Sequence, residues 1–415
     1  MNLRKGWTRG YGVFALLTLS VAGLVTLAAC SGIPGGGSPI SGSGGGGGSV
    51  NNTLAVAVNL GPNGNDINIL FASVVVCVPG TSSCQTIPNV LVDTGSNGLR
   101  LIGSQVTLSL PVSTDDSGNP LGECQQFADT SFVWGSVNTA DITLAGEVAS
   151  SVPIQIISPS GFPLSSSASG CNTGGTERNT QALLGANGIL GVGLLVQDCG
   201  NACATAPPPT NGYFTCIAQI CNPATVALTS QVQNPVALFP QDNNGVLIKL
   251  PTVPSSGAAT LSGSLIFGIG TQSNNALGTA KVYPTTPGGD FTVTYQSTAY
   301  TQSFIDSGSN AFFFLDTPGS GLPTCAINAA FYCPAAASMF TVTASAGTSS
   351  SMVTFSIDNA QTLLNANPTF SAFINIGGPF AGAFDLGLPF FYGRPVFTAI
   401  NGKTASGTMG PYWAF

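Results

Sequence analysis

Two segments 213 residues apart repeat one local pattern, and that repetition constrains the fold more than any other feature of the chain. Asn89-Val-Leu-Val-Asp93-Thr94-Gly95-Ser96 is an apolar run ending in Asp, hydroxyl, Gly, hydroxyl. Ser303-Phe-Ile-Asp306-Ser307-Gly308-Ser309 does the same. Each copy continues into a second apolar stretch, Leu99 to Ile102 and Ala311 to Leu315. Each therefore reads as a buried strand, a tight glycine turn and another buried strand. A carboxylate between two apolar strands is costly unless it is paired, hydrogen-bonded or used. Glycine beside it lets backbone amides approach the charge. A single copy fits an ordinary Asx turn at a hairpin. Two copies in matching frames point to a shared task, as an internal duplication would supply.

Composition agrees with a strand-rich chain. The 415 residues leave room for one large domain or two lobes. Only 6% of residues are charged, against about 25% in ordinary soluble proteins. Fifty-four glycines and abundant Thr, Ser, Val and Asn favour many short strands and turns, a mainly β fold. The formal charge of −7 comes with no basic patch, which argues against nucleic acid as a partner. Histidine is absent, so Ser-His-Asp and Cys-His chemistry and His-ligated zinc are excluded. Any proton transfer must use carboxylates, thiols, hydroxyls, Lys or Tyr. No cofactor or metal is called for.

The N-terminus reads as an export signal. Arg4, Lys5 and Arg9 precede an apolar run from Val13 to Ala29, which ends in Leu27-Ala28-Ala29-Cys30. Its 17 residues fall short of the roughly 20 needed to span a bilayer, and the small-residue ending marks a cleavage site. The ending resembles the lipobox of bacterial lipoproteins. That resemblance implies lipidation of Cys30, and Ser31 after it implies the outer membrane where a cell has one. An uncleaved anchor helix is the alternative. The expected organisation is a signal peptide over 1–29, a Gly/Ser-rich tether over 30–52, an N-terminal lobe over 53–272 and a C-terminal lobe over 273–415. With three of nine bases in the leader and all 16 acids beyond it, the mature chain carries −10. Acyl chains rather than charge would then hold it in the cell envelope.

Ten cysteines remain beyond Cys30, an even number that in an exported chain suggests five disulfides. Cys77 and Cys84 flank a Pro-Gly turn and are expected to staple a hairpin. Cys325 and Cys333 are expected to close a short loop. Cys199, Cys203, Cys216 and Cys221 crowd around Pro207-Pro208-Pro209 as a stapled excursion, leaving Cys124 for Cys171. A metal site at the four-cysteine group is the competing reading, disfavoured by its spacing and exported setting.

Asp93-Thr-Gly-Ser and Asp306-Ser-Gly-Ser resemble the two catalytic motifs of pepsin-like aspartic proteases. Three further segments follow in the family's order: Asn187-Gly-Ile-Leu-Gly191-Val-Gly193, Gly263-Ser-Leu-Ile-Phe-Gly268 and Leu386-Gly-Leu-Pro-Phe-Phe391. The resemblance covers roughly residues 53 to 415. It implies a two-lobed pepsin-like β-barrel fold with a pseudo-two-fold duplication. It also implies a catalytic pair, Asp93 and Asp306, supported by Thr94, Gly95, Ser96, Ser307, Gly308 and Ser309. The implied partner is an extended peptide or protein, cut by a monomer. Two departures stand out. Arg100 occupies the position where the family usually carries Trp, pointing either inward, where it would lower carboxylate pKa values, or to solvent. The flap candidate is Trp134-Gly135, with core packing as the competing reading. Phe312, Phe313 and Phe314 read as core. The expected function is an exported, lipid-anchored aspartic endopeptidase. The alternatives are a catalytically silent lipoprotein of the same fold and, further off, a β-rich adhesin.

Overall fold

A hairpin shows how the sequence builds its layers. Along Ser338–Ala346, Phe340, Val342 and Ala344 are buried while Met339 and Thr341 face out. Its partner Ser349–Ile357 repeats the alternation with Val353, Phe355 and Ile357 inside. This period of two is what a sheet with one packed face requires. The structure, a computed structural model, describes residues 51–162, 171, 175–207, 212–218 and 220–415. The signal peptide, Cys30 and nearly all of the tether lie outside them.

The architecture is mainly β, as the composition suggests, and the described residues form sheets of fifteen, seven and two strands. The larger sheet takes in the C-terminal strands Val282–Pro284, Val396–Ala399 and Tyr412–Ala414, so its hydrogen bonding continues past the boundary expected at 272/273.

The two repeated segments have the same topology. In the first, Cys84–Asp93 runs parallel to Gly188–Val192, with Val92 opposite Leu190 and Asp93 opposite Gly191. Asn97–Ile102 lies antiparallel on the other side of that strand, with Leu99 opposite the same Leu190. In the second, Thr298–Ile305 runs parallel to Phe380–Leu386, with Ile305 opposite Leu386. Phe312–Leu315 flanks it antiparallel, with Phe312 opposite Leu386. A strand distant in sequence is thus inserted between the two arms of each Asp turn. The arms cannot pair with each other, and the turn between them is left to carry its carboxyl inward. Close approach explains the Leu-Gly signals. A Cβ at Gly191 would lie 2.7 Å from Asn97 backbone, and one at Gly387 would lie 2.1 Å from the Ala311 carbonyl oxygen.

Five disulfides join Cys77–Cys84, Cys124–Cys171, Cys199–Cys203, Cys216–Cys221 and Cys325–Cys333. Cys77 and Cys84 are directly opposite across their hairpin, as the Pro-Gly turn suggested. The four-cysteine group resolves into two local bridges.

Candidate active site

Asp93 is the last residue of its strand and Asp306 follows directly on Ile305; both are fully buried. The two turns hold each other by exchanged hydrogen bonds. The Thr94 amide donates to Ser307 Oγ at 3.0 Å, and the Ser307 amide donates to Thr94 Oγ1 at 2.9 Å. Ser307 Oγ in turn donates to the Val92 carbonyl at 2.8 Å. A hydroxyl after each Asp is therefore needed because it serves the opposite turn.

Backbone amides converge on the carboxyls. Gly95 N–H lies 2.8 Å from Asp93 Oδ1 and 3.2 Å from Asp306 Oδ1, so one donor reaches both acids. Gly308 N–H donates to Asp306 Oδ1 at 2.7 Å. A Cβ at Gly308 would sit 2.7 Å from Asp93 Oδ1 and 3.1 Å from Asp306 Oδ1, which leaves no room for a side chain. On the outer oxygens, Ser96 Oγ donates to Asp93 Oδ2 at 2.5 Å and Ser309 Oγ lies 2.9 Å from Asp306 Oδ2. All eight residues expected at the site are brought together.

The pair is electrostatically unequal. Burial pushes Asp306 well above the usual carboxylate range, and the charges of Asp93 and Asp385 push it further. Burial also raises Asp93, but hydrogen bonds from Asp306, Ser96 and Gly95 and the Arg100 charge oppose the rise. The neighbouring charges thus favour the neutral form at Asp306, while the hydrogen bonds and the Arg100 charge favour the ionised form at Asp93.

Arg100 points inward. Its Nη2 donates to Glu123 Oε1 at 2.6 Å, Asp198 Oδ2 at 2.9 Å and Gln125 Oε1 at 3.2 Å, while Nη1 donates to the Asn97 carbonyl at 2.8 Å. Tyr213 adds a hydrogen bond to Asp198 Oδ1 at 2.7 Å. Burial raises the Glu123 carboxyl well above its usual range, the Arg100 charge opposes that rise, and Asp198 adds to it. Arg100 thus ties the strand that follows Asp93 to Leu121–Gln126, which carries Glu123, and to the loop carrying Asp198.

Trp134 requires a correction: it belongs to the core and not to a flap. It is 1% exposed, meets Phe214 edge-to-face at 5.2 Å and packs among Cys124, Cys171, Cys216 and Cys221. Gly135 lies mid-strand, where a Cβ would come within 1.8 Å of the Ile156 carbonyl oxygen. The tip of this hairpin is the turn from Phe127 to Ser131, closed by a 2.8 Å backbone bond. Asp129 in that turn pairs with Arg178 at 2.9 Å, and the Cys124–Cys171 bridge fixes the strand before it. Phe312, Phe313 and Phe314 are buried, as expected of core. Beside the paired turns a depression is lined by Thr94, Gly95, Leu194, Gly288, Gly289 and Trp413.

Asp385 was not anticipated. It is fully buried in Phe380–Leu386, and its Oδ2 lies 2.6 Å from Ser309 Oγ, the hydroxyl that also reaches Asp306. Its signal was an acid inside the apolar stretch Ala383-Phe384-Asp385-Leu386, the same anomaly that marked Asp93. Among the described residues no group of three or more His, Cys, Asp or Glu side chains is arranged to hold a metal ion.

The family model described as "Protein of unknown function (DUF3443)" matches residues 48–415, and the chain belongs to that family. No curated protein matches it. Among solved structures it is similar to the crystal structure of aspartic proteinase from Irpex lacteus. The identity is 15% and the TM-score 0.49, over 87% of this chain and 96% of that one.

Proposed function

We propose that this protein is an exported, lipid-anchored aspartic endopeptidase of pepsin-like design, which hydrolyses peptide bonds with water activated by Asp93 and Asp306. The observation that carries the reading is the pair itself. Two buried carboxyls from duplicated turns are reached by one Gly95 amide and locked by reciprocal Thr94–Ser307 hydrogen bonds. Asp93, the ionised member, takes a proton from a bound water, and Asp306 donates its proton to the scissile carbonyl. Water adds to the carbonyl carbon, the carbonyl oxygen gains the Asp306 proton, and a tetrahedral diol forms without a covalent enzyme intermediate. Collapse of the diol breaks the C–N bond: the amine nitrogen takes the proton now on Asp93, one diol hydroxyl gives its proton to Asp306, and acid and amine leave with the pair in its starting state. The substrate is an extended peptide, bound main chain to main chain as an added strand.

Five disulfides fit an oxidising compartment. With the lipobox-like leader they support a place in the cell envelope, anchored through Cys30 in the outer membrane. A catalytically silent binding role for the same fold is the second reading, favoured by the complete burial of both carboxyls.

Casein or a peptide library incubated between about pH 3 and 6 separates the two. The peptidase reading expects cleavage that a transition-state inhibitor of aspartic proteases stops and that Asp93→Asn or Asp306→Asn abolishes without unfolding. Absence of cleavage by the wild type across that range rejects it in favour of the silent form.

A further inference from the structure

A hydroxyl carries one proton, yet Ser309 Oγ sits between two carboxyls, 2.9 Å from Asp306 Oδ2 and 2.6 Å from Asp385 Oδ2. Ser309 can donate to only one of them. The other contact joins two oxygens that would repel unless the acid itself supplies a proton. Three observations place that second proton on Asp385. The Gly95 amide reaches both Asp306 Oδ1 and Asp93 Oδ1, so the face Asp306 turns to Asp93 is Oδ1, and Oδ2 is the oxygen left to accept from Ser309. Asp385 Oδ1 is buried with no hydrogen-bond partner, a position an anionic oxygen would occupy at high cost. The cross-strand neighbours of Asp385 are Phe304 and Phe313, which solvate no charge.

We propose that Asp385 is a third acid of the site, a positioning residue that must hold a proton for the site to work. Its carboxyl donates to Ser309, and Ser309 in turn donates to Asp306 Oδ2. When Asp385 ionises, the Ser309 hydroxyl turns to the new anion, Asp306 loses its outer donor, and a second negative charge stands beside the pair. The working site therefore holds two protons on three carboxyls. The titratable groups that reach Asp385 are Asp306, through Ser309, and Asp93 beyond it. Burial and the Asp93 charge raise Asp385, the Ser309 hydrogen bond opposes the rise, and no cation contributes to its shift.

The duplication shows that this acid is an addition. The position matching Asp385 in the first repeat is Ile189, one residue before the Leu190 that pairs as Leu386 does. There Ser96 serves Asp93 alone. The third acid is thus confined to the half of the site that carries the proton.

This inference rests on the peptidase reading for its activity arm, and a second arm keeps the two separable. Asp385→Asn cannot ionise, and its amide donates to Ser309 at every pH. The variant is expected to cut the same peptide as the wild type, with the alkaline limb of kcat/KM moved up by about one pH unit, a tenfold change in proton concentration. In urea unfolding, the wild-type midpoint falls as pH rises from about 4 to 8, because a carboxyl raised in the folded state contributes stability below its unfolded value and loses it above. The Asp385→Asn midpoint is expected to fall less. If neither protein cuts anything but the midpoints behave this way, the peptidase reading fails and the three-acid chain stands. If the wild type cuts and the variant shows an unmoved alkaline limb, the positioning role is overturned whatever the midpoints do. Should Asp385→Asn fail to fold, Asp385→Ile, which installs the residue of the first repeat, is read by the same two measurements.

Discussion

Replacing Arg100 by Leu tests whether the inward cation holds the site's scaffold together. Its guanidinium serves Glu123, Asp198, Gln125 and the Asn97 carbonyl, and the side chains of Arg100, Glu123 and Asp198 are 1%, 1% and 4% exposed. Removing one partner of a buried ion pair costs about 3–5 kcal/mol, because the other charge stays behind unpaired. The Asn97 carbonyl loses its donor as well, for about 1 kcal/mol more. At neutral pH the expected loss, about 4–6 kcal/mol, is comparable to the entire stability of a marginal domain.

The loss should depend on pH in one direction. Burial already raises Glu123 in the folded state, so its contribution is present below the unfolded glutamate value of about 4.3 and disappears as pH rises through the folded value. Without Arg100 the folded value rises further. Near pH 4, below the unfolded glutamate value of about 4.3, Glu123 is mostly neutral, can still bond Asp198, and the penalty shrinks toward that of lost packing. Urea unfolding followed by tryptophan fluorescence at about pH 4 and pH 7 provides the comparison. Equal destabilisation at the two pH values, or less than about 1 kcal/mol at pH 7, refutes the argument. Arg100→Lys keeps the charge without the planar fork and should fall between wild type and Leu.

Gly308→Ala places a methyl 2.7 Å from Asp93 Oδ1; it should separate the pair and lower kcat at least about a hundredfold with little change in KM, since a misplacement of about 1 Å costs that much. Trp134→Ala empties a core site and should cost about 3–5 kcal/mol in urea unfolding while leaving the pH profile of any cleavage in place. A shifted profile would return Trp134 to the active site. Asp66 is nearly buried with Oδ2 unpartnered, and burial lifts its pKa to about 7. Its contribution is present below the unfolded Asp value of about 3.9 and is lost as pH rises through 7. Asp66→Asn should therefore match the wild-type thermal midpoint near pH 4 and exceed it near pH 8; a variant no more stable at pH 8 contradicts this.

Much of the molecule was legible where the responsible forces act over short stretches of chain. The turns at Asp93 and Asp306 announce themselves because an acid, a hydroxyl and a glycine in four residues satisfy local backbone geometry. Cys77 and Cys84 lie seven residues apart around a reverse turn, so proximity along the chain already implied proximity in space.

Other assignments waited for the fold. Asp385 meets Ser309 across 76 residues, and Arg100 meets Asp198 across 98. Trp134 is core because Phe214 and four cysteines from separate elements close over it. Periodicity and local motifs report what a residue does to its own backbone and face. Whether a buried charge finds a partner depends on which distant strands the chain inserts between its turns, and that is settled only when the whole sheet has formed.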